Sequence, residues 1–72
     1  MKSFNFIGLK CPLPVLKANK ILKNDQENKI FEFLCDDATA PTDFQNLAKN
    51  LNNISIEIID KKGFYKILVK KD

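Results

Sequence analysis

The stretch GLKCPLPVLKANKILK, residues 8–23, places two prolines immediately before a run of residues with helical spacing. Proline is best tolerated in the first turn of a helix, because its missing N–H would have no intrahelical partner there. An apolar stripe follows at helical spacing and consists of Val15, Ala18, Ile21 and Leu22. The pattern predicts a helix from about Pro12 to Lys23, preceded by a turn at Gly8.

A cysteine, Cys11, lies directly before this predicted helix start. The positive end of the helix dipole and unpaired backbone N–H groups favour a thiolate there, and Lys10 adds positive charge nearby. Pro12 and Pro14 carry no N–H, so the N–H of Leu13 is the expected first-turn donor to the sulfur. We therefore expect an exposed, reactive thiol with a lowered pKa, rather than an inert structural cysteine that happens to precede a helix.

The rest of the chain predicts four strands and a second helix. Short, largely alternating apolar runs predict strands over residues 4–6, 30–35, 54–59 and 64–70. Apolar residues at i, i+3, i+4 and i+7 predict a helix that begins near Pro41 and ends around Asn52-Asn53. Gly63, between the last two strands, is expected to take a left-handed conformation in a hairpin turn.

The predicted order is βαβαββ within a single domain, residues 1–72. Two amphipathic helices suffice to cover one face of a four-stranded sheet, so we expect an α+β fold, a two-layer sandwich with a mixed sheet. A right-handed crossover makes the first two strands parallel. Their carboxyl ends then meet at one edge, which places the Cys11 loop beside the loop that contains Asp36 and Asp37.

Composition limits the chemistry of the chain. With two cysteines and no histidine, we expect no metal site, no Cys–His or Ser–His dyad, no disulfide framework and no cofactor. All twelve basic residues are lysines; without the planar fork of arginine, the net charge of +3 argues only weakly for nucleic-acid binding. No signal-peptide pattern or transmembrane-length segment is present, which predicts a reduced cytoplasmic setting.

The motif GLKCPLPV, residues 8–15, closely resembles the signature of the TusA/SirA family of small sulfur-carrier proteins. The resemblance extends to the element order, the Asp36-Asp37 loop and Asp43 in the second predicted helix. Members of that family carry sulfane sulfur as a persulfide on the motif cysteine. They receive it from a cysteine desulfurase or another sulfurtransferase and pass it to a downstream acceptor, as in tRNA thiolation. The resemblance implies that Cys11 bears the sulfur in a loop shaped by Gly8, Lys10, Pro12, Leu13 and Pro14.

Other residues have both a functional and a structural interpretation. Lys17, Asp36 and Asp37 are candidate partner contacts. A solvated helix face explains Lys17, Lys20 and Lys23 equally well, and turn or capping roles explain the aspartates better than acid–base catalysis. Cys35 lies on the expected core face of its strand, which favours packing over a role as resolving thiol for Cys11. A contact surface on the outer sheet face would include Ile59, Phe64 and Leu68.

These observations predict a monomeric sulfur carrier that exchanges sulfur with partner enzymes and protein acceptors rather than turning over alone. The lowered pKa would supply thiolate at neutral pH, and exposure would give partners access to it. The alternative is a non-catalytic regulatory or binding module that acts on a protein or RNA partner through its lysine face or outer sheet face.

Overall fold

The computed structural model describes residues 2–51 and 53–71. The elements in chain order are β1 (Lys2–Asn5), α1 (Leu13–Asn24), β2 (Ile30–Cys35), α2 (Ala40–Asn50), β3 (Ile54–Lys61) and β4 (Phe64–Lys71). The strands form one sheet in the order β1-β2-β4-β3. β1 and β2 are parallel, and the other two pairs are antiparallel. The predicted α+β sandwich with a mixed four-stranded sheet is confirmed.

Several predicted boundaries differ from the structure. β1 begins at Lys2 rather than residue 4, and β3 extends to Lys61 rather than ending at residue 59. β1 ends at Asn5, although the N–H of Phe6 still donates to the Leu34 carbonyl at 2.8 Å. α2 ends at Asn50 because Leu51 takes an extended conformation; of the predicted end at Asn52-Asn53, Asn52 lies outside the described residues. Gly63 has φ +90°, which confirms the left-handed hairpin turn.

The core lies between the helices and the inner face of the sheet. Its side chains from α1, α2 and the two central strands include Ala18, Leu22, Phe31, Phe33, Cys35, Phe44, Leu47, Ile67 and Val69. Phe33 is at the centre of an aromatic cluster, with ring centroids 5.4 Å from Phe6, 5.5 Å from Phe4 and 5.6 Å from Phe44. Cys35 is fully buried on this face, as its position in the alternating pattern predicts.

The apolar side chains on the opposite face of the sheet are only partly buried. Ile59, Phe64 and Leu68 are half-buried there. Lys66 lies opposite Ile59 on the neighbouring strand and forms a salt bridge with Glu32 at 3.5 Å. Scattered apolar residues among charged ones are ordinary on a protein surface. The arrangement therefore does not distinguish this face as a binding surface.

A lysine from the last strand satisfies the carboxyl end of α1. Lys71 Nζ donates to the carbonyl oxygens of Leu22 at 2.8 Å and Asp25 at 2.6 Å. The last carbonyls of a helix have no intrahelical partner, and a cation there also complements the helix dipole. Lys71 therefore joins the end of β4 to the end of α1.

Replacing this lysine should destabilise the fold. We expect Lys71→Ala to lower the free energy of unfolding by about 1–2 kcal/mol, since two charged hydrogen bonds at a partly exposed site are lost. Lys70→Ala removes the same charge from an exposed position of the same strand and should change it by less than about 0.5 kcal/mol. Urea unfolding at constant ionic strength measures both; equal losses would contradict the capping role.

Candidate functional site

Two loops meet at the carboxyl edge of β1 and β2, as the parallel pairing predicts. Asp36 Oδ1 accepts the N–H of Gly8 at 3.0 Å, and Asp37 Oδ2 accepts the N–H of Cys11 at 3.0 Å. Gly8 has φ +94°, a conformation that glycine adopts without a steric cost. The loop that follows β2 thus holds the loop that follows β1 by its carboxylates.

Asp37 organises this edge through its other oxygen as well. Asp37 Oδ1 accepts the N–H and the hydroxyl of Thr39 at 2.9 and 2.7 Å. The bonds from Thr39 and from the Cys11 N–H lower the pKa of Asp37 to about 2, because they stabilise its charged form. The structural role expected for this aspartate agrees with these contacts.

The start of α1 differs from the expected arrangement in one respect. Pro12 is the N-cap residue, joined to Cys11 by a cis peptide bond, and the helix begins at Leu13. The N–H of Leu13 donates to the Lys10 carbonyl at 2.8 Å, not to the sulfur. The prediction that Leu13 stabilises the thiolate is therefore wrong, because a local turn takes up this donor.

The partner of the Cys11 sulfur is a carboxylate of α2. Cys11 Sγ lies 2.9 Å from Asp43 Oδ2 in the geometry of an S–H donor. This bond favours the thiol over the thiolate and raises the pKa of Cys11, although the Thr39 hydroxyl opposes it. The predicted lowered pKa is therefore wrong. The sequence pattern did not indicate this contact, since Asp43 is 32 residues away along the chain.

The two cysteines occupy contrasting environments. Cys11 is exposed, as predicted, whereas Cys35 has no accessible surface. Burial is the main cause that raises the pKa of Cys35 to about 11. Cys35 therefore has little thiolate at neutral pH and no access for a reagent, which supports packing rather than a resolving role.

The surface around Cys11 is mixed in character. Lys10 and Lys17 are exposed, as are 45% of Leu13 and 56% of Leu16, while Pro14 in the first turn of α1 is buried. Lys20 and Lys23, farther along α1, are exposed too. A groove of about 240 Å³ runs between the helices and is lined by Pro12, Val15, Leu16, Asn19, Asp43, Asn46, Leu47 and Asn50. The groove was not predicted; it shares Asp43 with the cysteine site.

The fold and the exposed cysteine before α1 match a known class of small sulfur-handling proteins. The family model described as Sulfurtransferase TusA matches residues 2–71, and the chain belongs to this family. Sulfur carrier protein TusA of Allochromatium vinosum is 33% identical over 64 residues, 89% of this chain and 84% of that protein. A relative from Archaeoglobus fulgidus is 39% identical over 57 residues, 79% of this chain and 74% of its own.

A solved structure supports the fold independently. The crystal structure of a SirA-like protein from Desulfitobacterium hafniense superposes with a TM-score of 0.85 at 24% identity, covering 97% of this chain and 96% of that one. The family membership gives this protein a sulfur-carrier role, which involves sulfur donors and acceptors. Across residues 2–51 and 53–71, neither helix has both the length and the apolar character to cross a membrane.

The lowered pKa of Asp37 predicts a pH-dependent contribution to stability. An acid with a depressed folded-state pKa stabilises the fold above its unfolded pKa, and this contribution is lost as pH falls through the folded value. Asp37→Asn should therefore be less stable than the parent at pH 7. The difference should shrink as the pH falls from 3.8 to about 2.

Urea unfolding over this pH range measures the difference, with Asp60→Asn as a control for the loss of one negative charge on the surface. A deficit in Asp37→Asn that is constant down to pH 2 would show that the charge of Asp37 does not stabilise the fold.

The two cysteines should differ in reactivity. Under native conditions Cys11 should be alkylated at least about tenfold faster than Cys35, because alkylation of the buried thiol requires the structure to open. Competitive labelling with iodoacetamide followed by peptide mapping measures the ratio. Equal rates would contradict the burial of Cys35.

Proposed function

We propose that Cys11 accepts sulfane sulfur as a persulfide from a cysteine desulfurase or another sulfurtransferase, and passes it to a protein acceptor. One observation carries the proposal: Cys11 is an exposed thiol in a loop that the Asp36 and Asp37 carboxylates hold at the edge of the sheet. An exposed thiol is required by any transfer between two proteins, because each partner must bring its own sulfur to the same atom.

Loading follows the chemistry of thiol–disulfide exchange. The Cys11 thiolate attacks the outer sulfur of the donor persulfide, so a new S–S bond forms on Cys11 as the donor S–S bond breaks. The electron pair leaves on the donor cysteine, which takes up the proton that Cys11 has lost. Release is the same step with an acceptor thiolate as the attacking group. The sulfane sulfur changes partner without a net gain or loss of electrons.

The raised pKa of Cys11 makes the partner part of this chemistry. The free protein holds less thiolate than an unperturbed cysteine would, although the thiolate that does form is a stronger nucleophile. Acid and base groups for the transfer are then supplied by the donor and acceptor. A reduced compartment, such as the cytoplasm, would keep the free thiol available between transfers.

The contacts made by these partners are proposed to surround the thiol. Lys10 and Leu13 flank Cys11 on the exposed loop, and Lys17 lies one turn farther along α1. Together they offer a partner both apolar surface and positive charge, a combination suited to an acidic protein surface. Asp36, which is also exposed, borders the site from the second loop.

Persulfide loading tests the proposal directly. The protein is incubated with a purified cysteine desulfurase and cysteine, and its intact mass is measured without reductant. The wild type and Cys35→Ser should gain one sulfur atom, located on Cys11 by peptide mapping, whereas Cys11→Ser should gain none. Cys35→Ser should also lose about 1–3 kcal/mol of stability, because it buries a hydroxyl in the apolar core without a hydrogen bond to compensate.

The opposite results distinguish the alternatives. A wild type that gains no sulfur from several donor classes would favour a regulatory or binding module over a carrier. Poor loading by a fully stable Cys35→Ser would instead show that Cys35 takes part in the transfer. Thermal melts of all three proteins separate loss of chemistry from loss of folding.

A further inference from the structure

The charge that faces the Cys11 sulfur is negative. Asp43 of α2 contacts Sγ at 2.9 Å, and the carboxylate of Asp37 accepts the N–H of the same residue at 3.0 Å. A further polar group near the sulfur is the Thr39 hydroxyl, which donates to Asp37. The nearby cation, Lys10 on the cysteine loop, acts on Asp37. Among these groups, Asp43 is the charged one that is in direct contact with the sulfur.

This contact bears directly on the release of sulfur from Cys11. When sulfur is released, the bond to Cys11 breaks and the electron pair stays on Sγ, so a negative charge develops beside the Asp43 carboxylate. Two like charges at hydrogen-bond distance repel each other. A sulfur whose thiolate is destabilised leaves more slowly. The same contact reduces the amount of Cys11 thiolate available for loading, so it disfavours a charged sulfur in both steps.

We propose that Asp43 retains the cargo: its carboxylate makes the Cys11 sulfur a poor leaving group, so that small thiols remove sulfane sulfur slowly. An exposed persulfide would otherwise be open to every thiol in solution. A protein acceptor would overcome the retention by placing a cation or a hydrogen-bond donor against Asp43 as it docks. This inference rests on the proposed function and adds a property of the partner's surface.

The step that Asp43 slows is balanced as follows. A thiolate attacks the outer sulfur of the Cys11 persulfide and forms an S–S bond with it. The bond between the outer sulfur and Sγ breaks, and its electron pair remains on Sγ. A proton from water or buffer then restores the thiol, which donates again to Asp43 Oδ2. Attack on Sγ itself would give a mixed disulfide and release hydrogen sulfide, and intact mass distinguishes the two products.

The test compares sulfur loss from loaded proteins. Wild type, Asp43→Asn and Asp43→Glu are loaded with inorganic polysulfide, desalted and treated with 2-mercaptoethanol, and the loss of one sulfur atom is followed by intact mass. Asp43→Asn should lose sulfur roughly three- to tenfold faster, because it keeps the shape of the side chain but not its charge. Asp43→Glu, which keeps the charge, should stay close to the wild-type rate.

Two controls exclude a general effect. Glu27→Gln removes one carboxylate from the loop at the other end of α1 and should leave the rate unchanged. The pH profile of alkylation by iodoacetamide should shift to lower pH in Asp43→Asn, a change that a purely structural role would not produce. Circular dichroism confirms that each variant is folded.

Equal sulfur loss from wild type and Asp43→Asn would overturn the retention role while leaving the carrier function intact. Slower loading of Asp43→Asn with unchanged loss would also overturn it, and would make Asp43 a proton acceptor in loading. A wild type that does not load on Cys11 from polysulfide or from a desulfurase would instead refute the proposed function, and the retention role with it.

Discussion

The hydrogen bond from the Cys11 N–H to the Asp37 carboxylate ties the cysteine loop to the rest of the molecule. Asp37 lies two residues after Cys35, the buried end of β2, so the packing of the core sets its position. Its second oxygen is held by Thr39, the N-cap residue of α2. One carboxylate therefore fixes the cysteine loop relative to both a strand and a helix. Its pKa of about 2 keeps it charged, and so able to accept all three bonds, over nearly the whole pH range.

The aromatic cluster extends the same constraint into the core. Phe6 precedes the cysteine loop, Phe33 precedes the aspartate loop and Phe44 directly follows Asp43 in α2. The ring of Phe33 packs against both of the other rings. Cys11, Asp37 and Asp43 thus lie on three segments whose aromatic residues pack against one another. Close packing transmits small displacements, so the geometry of the site depends on this cluster.

The fold could be predicted because its signals are local. Alternation in 30–35 and helical spacing in 15–22 identified elements within a few residues, and parallel pairing brought Cys11 beside Asp36 and Asp37. The electrostatics of the thiol could not be predicted in the same way. The N–H of Leu13 is taken up by the Lys10 carbonyl, and the contact with Asp43 depends on how α2 packs against the cysteine loop. Neither property follows from the spacing of residues along the chain.

Two opposing charges act on the protonation of Cys11, and their distances from the sulfur decide which one prevails. A helix N-terminus carries about half a positive charge, spread over N–H groups, and here two prolines remove donors while a turn occupies the N–H between them. Asp43 opposes it at hydrogen-bond distance. The nearer and larger charge prevails, so the thiol form is favoured at a helix start that would otherwise favour the thiolate. A cysteine whose protonation depends most strongly on one side-chain contact is responsive to any partner that changes that contact. For a carrier, which must hold sulfur between encounters and yield it during one, such a dependence on the partner suits the task better than a thiol that is permanently activated.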